Sequence, residues 1–232
     1  MKTTSLGKTA RVLTVAAVAS CALTGTAAAA PVFAATNFSG GNWGGYVSFG
    51  SFTSATAGWT EPSVTCTSTN DLFAPWVGID GDGSSTVEQV GVATDCSSGS
   101  PRYQAWYEMY PAAPVYYDEP VSAGDKITAT VTRTGTGTGT YQLVISDITQ
   151  GWTKTATKSL SAKHSSAEAI IESPTDSYPA IDGGVHFTGV EFNGTALAAT
   201  SPSALDADDQ AAHTWSPSPI ASDGTDFTMT RH

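Results

Sequence analysis

The sequence predicts an all-β fold, a single β-sandwich, and three observations carry that prediction. Segments 127–132 and 141–146 alternate side-chain character with period two and are rich in β-branched residues. Comparable runs recur at 43–49, 76–79, 86–93, 102–110, 152–160, 167–171, 185–192 and 227–231. Glycine and proline punctuate most of the gaps between them, which is the pattern of short strands joined by turns. The Thr/Gly alternation at 134–140 has nothing to pack into a core and reads as a hairpin loop. Only 196–212 offers a short helical turn. No linker or internal repeat divides the chain.

The start of the chain reads differently. Lys2, Lys8 and Arg11 precede an uncharged, mostly apolar run at 12–23, followed by small residues up to Ala30. A positive segment, a short apolar segment and small-x-Ala cleavage sites make a secretory signal peptide, assigned to 1–34, with the mature domain at 35–232. The apolar run is too short for a membrane anchor. Val18-Ala19-Ser20-Cys21 loosely resembles a lipobox, so a lipid anchor at Cys21 is the alternative to simple secretion.

The mature part is long enough to bury a sizeable core. Removing the leader takes three of the ten basic residues and none of the 21 acidic ones, so seven positive charges face 21 negative ones. Such a surface repels nucleic acid and anionic membranes at neutral pH. The expected state is a secreted monomer with no nucleic-acid or membrane partner. Cys66 and Cys96 are the two cysteines outside the leader, an even pair suited to one disulfide in an oxidising compartment. Two distant cysteines and four scattered histidines offer no metal-ligand spacing, so neither metal nor cofactor is expected. His164, His186 and His213 read as surface or satisfied groups, and the chain has no Gly-x-Ser-x-Gly elbow.

The chemistry-bearing residues lie in the middle of the chain. On a strand, Trp76, Gly78 and Asp80 share one face, and Val77 with Ile79 share the other, which is core. The first face reads as open, acidic and aromatic. Gln89 and Glu88 point to opposite faces. Gln104, Trp106, Glu108 and Tyr110 form a polar and aromatic ladder on one face. Glu168 and Glu172, four residues apart, share a face at about 13 Å separation along a strand.

Six segments occur in order: Asn42-Trp43-Gly-Gly-Tyr46, Trp76-Val-Gly-Ile-Asp-Gly81, Gln89-Val-Gly91, Ala105-Trp-Tyr-Glu-Met-Tyr-Pro111, Ala123-Gly-Asp125 and Ala167-Glu-Ala-Ile-Ile-Glu172. Together they resemble the motif series of the glutamic peptidases, the eqolisin family, over about residues 37–194. The compact leader and the bare domain point to a bacterial-type member. The resemblance implies a two-sheet antiparallel β-sandwich of the concanavalin A or lectin-like type, whose concave face forms the substrate cleft. It also implies a catalytic pair, Gln89 and Glu172, with Glu172 chosen over Glu168 because it ends its motif. By the same resemblance Trp43, Trp76, Asp80, Trp106, Glu108 and Tyr110 line the cleft and bind polypeptide substrates. Fungal relatives tend to have Trp at the positions of Ala169 and Met109 and an acid at that of Gln104, departures that bear on side-chain preference. Residues beyond about 194 match poorly and are expected to complete the sandwich.

The residue types suit peptide hydrolysis. An ionised glutamate can take a proton from water and return it to the leaving amine. A glutamine amide, which does not titrate in this range, can hold the developing oxyanion. Two rival readings use the same aromatics and carboxylates: a carbohydrate-binding lectin-like module, and a glycoside hydrolase with paired carboxyl groups. Neither needs a glutamine poised beside a glutamate.

Overall fold

The computed structural model describes residues 37–135, 139–209 and 214–232. The leader expected at 1–34, with Cys21, lies outside the described residues, as do His213 and the centre of the Thr/Gly loop. In chain order the strands are β1 (Phe38–Ser39), β2 (Trp43–Phe49), β3 (Ser54–Thr60), β4 (Val64–Thr65), β5 (Leu72–Asp80), β6 (Val87–Asp95), β7 (Arg102–Tyr110), β8 (Val115–Tyr116) and β9 (Lys126–Arg133). They continue as β10 (Thr140–Asp147), β11 (Trp152–Ser159), β12 (Ser166–Glu172), β13 (Ala180–Ile181), β14 (Val185–Phe192), β15 (Thr195–Ala196), β16 (Ser203–Asp208), β17 (Thr214–Pro217) and β18 (Phe227–Arg231).

Two sheets result. One runs β16-β2-β12-β5-β6-β7-β8, and the other β11-β10-β9-β3-β14-β18-β17-β16. Strand β16 is their shared corner: Ser203, Ala204 and Leu205 pair with β2, whereas Ala207 and Asp208 pair with β17. Pairing is antiparallel except for the short β1, which lies parallel to β16. The expected sandwich is therefore present, and its last three long-range strands complete it as anticipated.

The period-two reading works best where one face is solvated. In β9, Ile127, Ala129 and Val131 are buried between exposed or half-exposed neighbours, and β10 buries Tyr141, Leu143 and Ile145 in the same way. They pack against Val77, Ile79, Val90, Val92 and Ile171 of the facing sheet, forming one core. Strands β5, β6 and β12 are buried on both faces, so they extend past the apolar cores that the sequence marks. Strands β3, β16 and β17 escape sequence reading because small residues and prolines give little contrast between faces. The helical turn expected at 196–212 shrinks to one 3-10 turn, Leu197–Thr200, and β16 takes up part of the remainder.

Cys66 and Cys96 form the expected disulfide, with Cα atoms 5.6 Å apart and a sequence separation of 30. It ties the β4 segment to the end of β6. Loop-closure entropy for a ring of this size is worth about 3–4 kcal/mol. Ala169 and Met109, two departures from the fungal pattern, are buried in the inter-sheet core. They alter packing there and do not face the cleft.

Candidate active site

The outer face of the β2-β12-β5-β6-β7 sheet carries a second apolar cluster, built from Val47, Ala74, Trp76, Val87, Ala93, Trp106, Ile170 and Leu205. Above it opens a cavity of about 450 Å³. Gln89, Glu172, Trp43, Trp106, Glu108 and Tyr110 all line it, together with Leu72, Pro114, Tyr116 and Pro174. Six of the eight sequence-predicted site residues thus share one cavity.

Glycines make the floor possible. Gly91 pairs with Trp76 and Gly78 with Gln89 across neighbouring strands. A Cβ on Gly91 would stand 2.7 Å from the Trp76 Cβ and 2.4 Å from the Pro75 carbonyl, and one on Gly78 would meet the Trp76 ring at 3.0 Å. The indole therefore lies where only hydrogen side chains permit it. Trp43 meets Trp76 edge-on, with ring centroids 4.9 Å apart.

This floor holds Glu172. The residue ends β12, opposite Trp43 on β2 and Ala74 on β5. The Trp76 indole N–H donates to its Oε2 at 3.0 Å, and the Asn42 amide donates to its Oε1 at 3.2 Å. Burial raises the Glu172 carboxyl above the ordinary glutamate range; hydrogen bonds from Trp43, Trp76 and Asn42 oppose that rise, and the Glu108 charge adds to it. Trp76 is itself fully buried, so it supports the carboxyl from beneath and does not form the cavity wall.

Gln89 sits opposite Glu108 on β7 and donates from Nε2 to Glu108 Oε2 at 2.6 Å. Its Oε1 has no hydrogen-bond partner among the described residues. Burial raises the Glu108 carboxyl, and the bond from Gln89 opposes it. Gln89 and Glu172 lie diagonally across β5, two strand spacings sideways and four residues along. On a flat sheet that offset would separate their Cα atoms by roughly 16 Å. Both side chains nevertheless line the same cavity.

Asp80 is placed elsewhere, which corrects the expectation that it lines the cleft. It has φ of 64° and is fully buried, and its carboxylate accepts the His164 N–H at 2.7 Å, the Ser165 N–H at 2.8 Å and the Ser165 hydroxyl at 3.1 Å. The positive φ turns its side chain out of the strand alternation and into the loop before β12. Of the Trp76/Gly78/Asp80 face, Trp76 therefore lies in the cavity floor, whereas Asp80 is buried against the loop before β12. Glu168 is buried beneath the turn that follows β5, where the Asp82 N–H reaches its Oε1 at 3.5 Å. It lies away from the cavity wall.

His164 is hydrogen-bonded to the Tyr141 hydroxyl, and His186 is exposed beside Asp226; neither lines the cavity. Sequence reasoning missed Leu72, Pro114, Tyr116 and Pro174 as cavity walls, and quoted Asn42 without a role. The aromatic and proline run between Tyr110 and Tyr117 was the available signal for two of them.

A sandwich in which one sheet brings a carboxyl and an amide to one cavity defines the class of site that comparison with known proteins makes specific. Residues 41–227 match the Peptidase A4 family. The chain belongs to that family of peptide-bond hydrolases. Aspergillopepsin-2 of Aspergillus niger is 35% identical over 112 residues, which is 39% of this chain and 40% of that protein. The chain thus spans less than half the length of this curated relative in the match. Among solved structures, scytalido-glutamic peptidase with a peptide-based transition-state analogue superposes with a TM-score of 0.67 at 24% identity, covering 84% of this chain and all of that one. Aspergilloglutamic peptidase from Aspergillus niger does so with a TM-score of 0.54 at 27% identity, covering 70% of this chain and 99% of that one. The family match reaches well past residue 194, so the last strands belong to the shared domain. The lectin-like and glycosidase readings lose their support.

Proposed function

We propose that the chain is a secreted endopeptidase working below neutral pH, in which Glu172 is the general base and Gln89 the oxyanion donor. Residues 1–34 are its removable leader. The observation that carries the reading is that Glu172 and Gln89, separated by 83 positions, open into one cavity whose floor fixes the carboxyl with two N–H donors.

Glu172 takes a proton from a water held between the two side chains as the water oxygen attacks the peptide carbonyl carbon. The carbonyl oxygen becomes an oxyanion, stabilised by a Gln89 Nε2 hydrogen. Glu172 then passes its proton to the nitrogen, the C–N bond breaks, and acid and amine leave. No covalent enzyme intermediate forms. The apolar walls exclude water, which strengthens both interactions. Because burial raises the Glu172 carboxyl, the active ionised form is lost on the acid side at a pH above the ordinary glutamate value of about 4.3.

The test is digestion of casein and of an internally quenched peptide by the mature protein across pH 3–7, with Glu172→Gln as control. Cleavage by the wild type and its loss in the variant are expected. Full activity in Glu172→Gln would remove the assigned base. Chelators and serine-directed reagents are expected to leave the rate unchanged.

A further inference from the structure

The Glu172 carboxylate has a donor that is neither indole nor part of the Gln89 pair. Asn42 stands immediately before β2, so one short segment delivers both its amide and the Trp43 ring to the same carboxyl. Its Nδ2 donates to Glu172 Oε1 at 3.2 Å and to the Ser173 carbonyl at 3.3 Å. Its own carbonyl accepts two bonds, from the Ser173 N–H at 3.1 Å and from the Tyr178 hydroxyl at 2.9 Å. Tyr178 is buried in the inter-sheet core, packed against Phe73 and Trp215 with ring centroids 6.0 and 5.5 Å away. A line of contacts therefore runs from the core, through the Asn42 backbone, to the carboxyl in the cleft.

We infer that Asn42 is a positioning residue for the reaction: it holds one oxygen of Glu172 while Trp76 holds the other, so that the carboxylate presents a fixed edge to the water. The inference rests on Glu172 being the base. Two features distinguish this from incidental contact. Asn42 is tied at its side chain and its backbone to the residue following Glu172, so it cannot shift independently of that carboxyl. The amide and the indole each occupy a different oxygen, which stops rotation about the last side-chain bond. A donor to the charged form also favours ionisation, so losing it raises the carboxyl's pKa.

The experiment compares wild type, Asn42→Ala and Asn42→Asp on an internally quenched peptide over pH 3–7, with thermal unfolding midpoints measured for each. Glu172 is also titrated by carboxyl-carbon NMR, which does not depend on activity. Losing one hydrogen bond to a charged group predicts a fall in kcat of about tenfold or more in Asn42→Ala. KM is expected to change by less than about threefold. The acid limb and the NMR midpoint of Glu172 both move to higher pH, and further in Asn42→Asp, whose isosteric side chain replaces a donor by a like charge. An NMR midpoint unmoved in both variants overturns the inference. So does a loss of rate that only follows a loss of folded protein. A fully active Glu172→Gln would instead sink the base assignment, and the NMR shift would then report a contact without a catalytic consequence.

Discussion

The two faces of the β2-β12-β5-β6-β7 sheet both bury carboxyl groups, and they use them differently. On the cleft face, Glu172 and Glu108 keep partly open edges and are met by designated donors: Trp76 and Asn42 for one, Gln89 for the other. Burial raises both, and the donors hold the rise in check. On the core side, Glu88 is fully buried and pushed up to about 8, by burial first and then by the Asp80 charge. Glu61, also buried and held by Trp59 at 2.9 Å and Thr94 at 3.3 Å, is likewise raised to about 8, chiefly by burial. Donors are present on both sides; what differs is the opening, which the cleft carboxyls have and the fully buried core carboxyls lack. On the proposed reading, carboxyls in the cleft set when the chain works, and carboxyls in the core set when it stays folded.

The largest expected effect breaks the cleft side of this comparison. Glu172→Gln keeps the shape and removes the proposed base, so kcat should fall by about 10²–10⁴ with the unfolding midpoint little changed. A steady-state assay alongside thermal denaturation checks it.

The core side makes its own prediction, with the opposite sensitivity. Glu61 and Glu88 have folded values near 8, above their unfolded values near 4.5. The stability each contributes is complete below about pH 4.5 and is lost as pH rises through 8. The loss is about 1.4 kcal/mol per pH unit per group in that window. Chemical denaturation at pH 4 and pH 8 should therefore show a much weaker fold at pH 8, and Glu61→Gln or Glu88→Gln should narrow the gap. Equal stability at the two pH values would contradict the assignment.

Asp80 sharpens the comparison because it was expected in one region and belongs to the other. Asp80→Ala removes three acceptor contacts to buried backbone and hydroxyl donors. It should destabilise the fold by about 2–4 kcal/mol, measured by denaturant titration, and leave KM of the remaining folded enzyme within about twofold. The smallest effect is expected at Glu108. Glu108→Gln removes the charge that fixes Gln89 and should lower kcat by roughly tenfold, read in the same steady-state assay.

Much of this was legible in the sequence, for physical reasons that differ by residue. The strand at Arg102–Tyr110 was readable to its ends because Gln104, Trp106 and Glu108 alternate with Ala105, Tyr107 and Met109, and the two sets face different environments. Gln89 and Glu172 are read from motif order, since nothing in spacing alone brings them together, and both line the cavity. What stayed hidden depends on three-dimensional pairing. β3, with Ser54, Ala55, Ala57 and Gly58, has too little side-chain contrast to mark its faces and owes its form to β9 and β14 on either side. Asp80 was misplaced because alternation assumes negative φ, and its left-handed conformation breaks that rule. Asn42 showed no signal beyond adjacency to Trp43, because its role lies in a bond to a residue 130 positions away.

The central claim is that one amide and one carboxyl act on the same water and the same developing oxyanion. A double-mutant cycle on kcat/KM with Gln89→Ala, Glu172→Gln and the combination tests it most directly. Joint action predicts that each single change costs about 10²–10⁴ and that the double variant is little worse than the poorer single one. Losses that multiply in full, or a Gln89→Ala enzyme with wild-type kcat/KM, would contradict it.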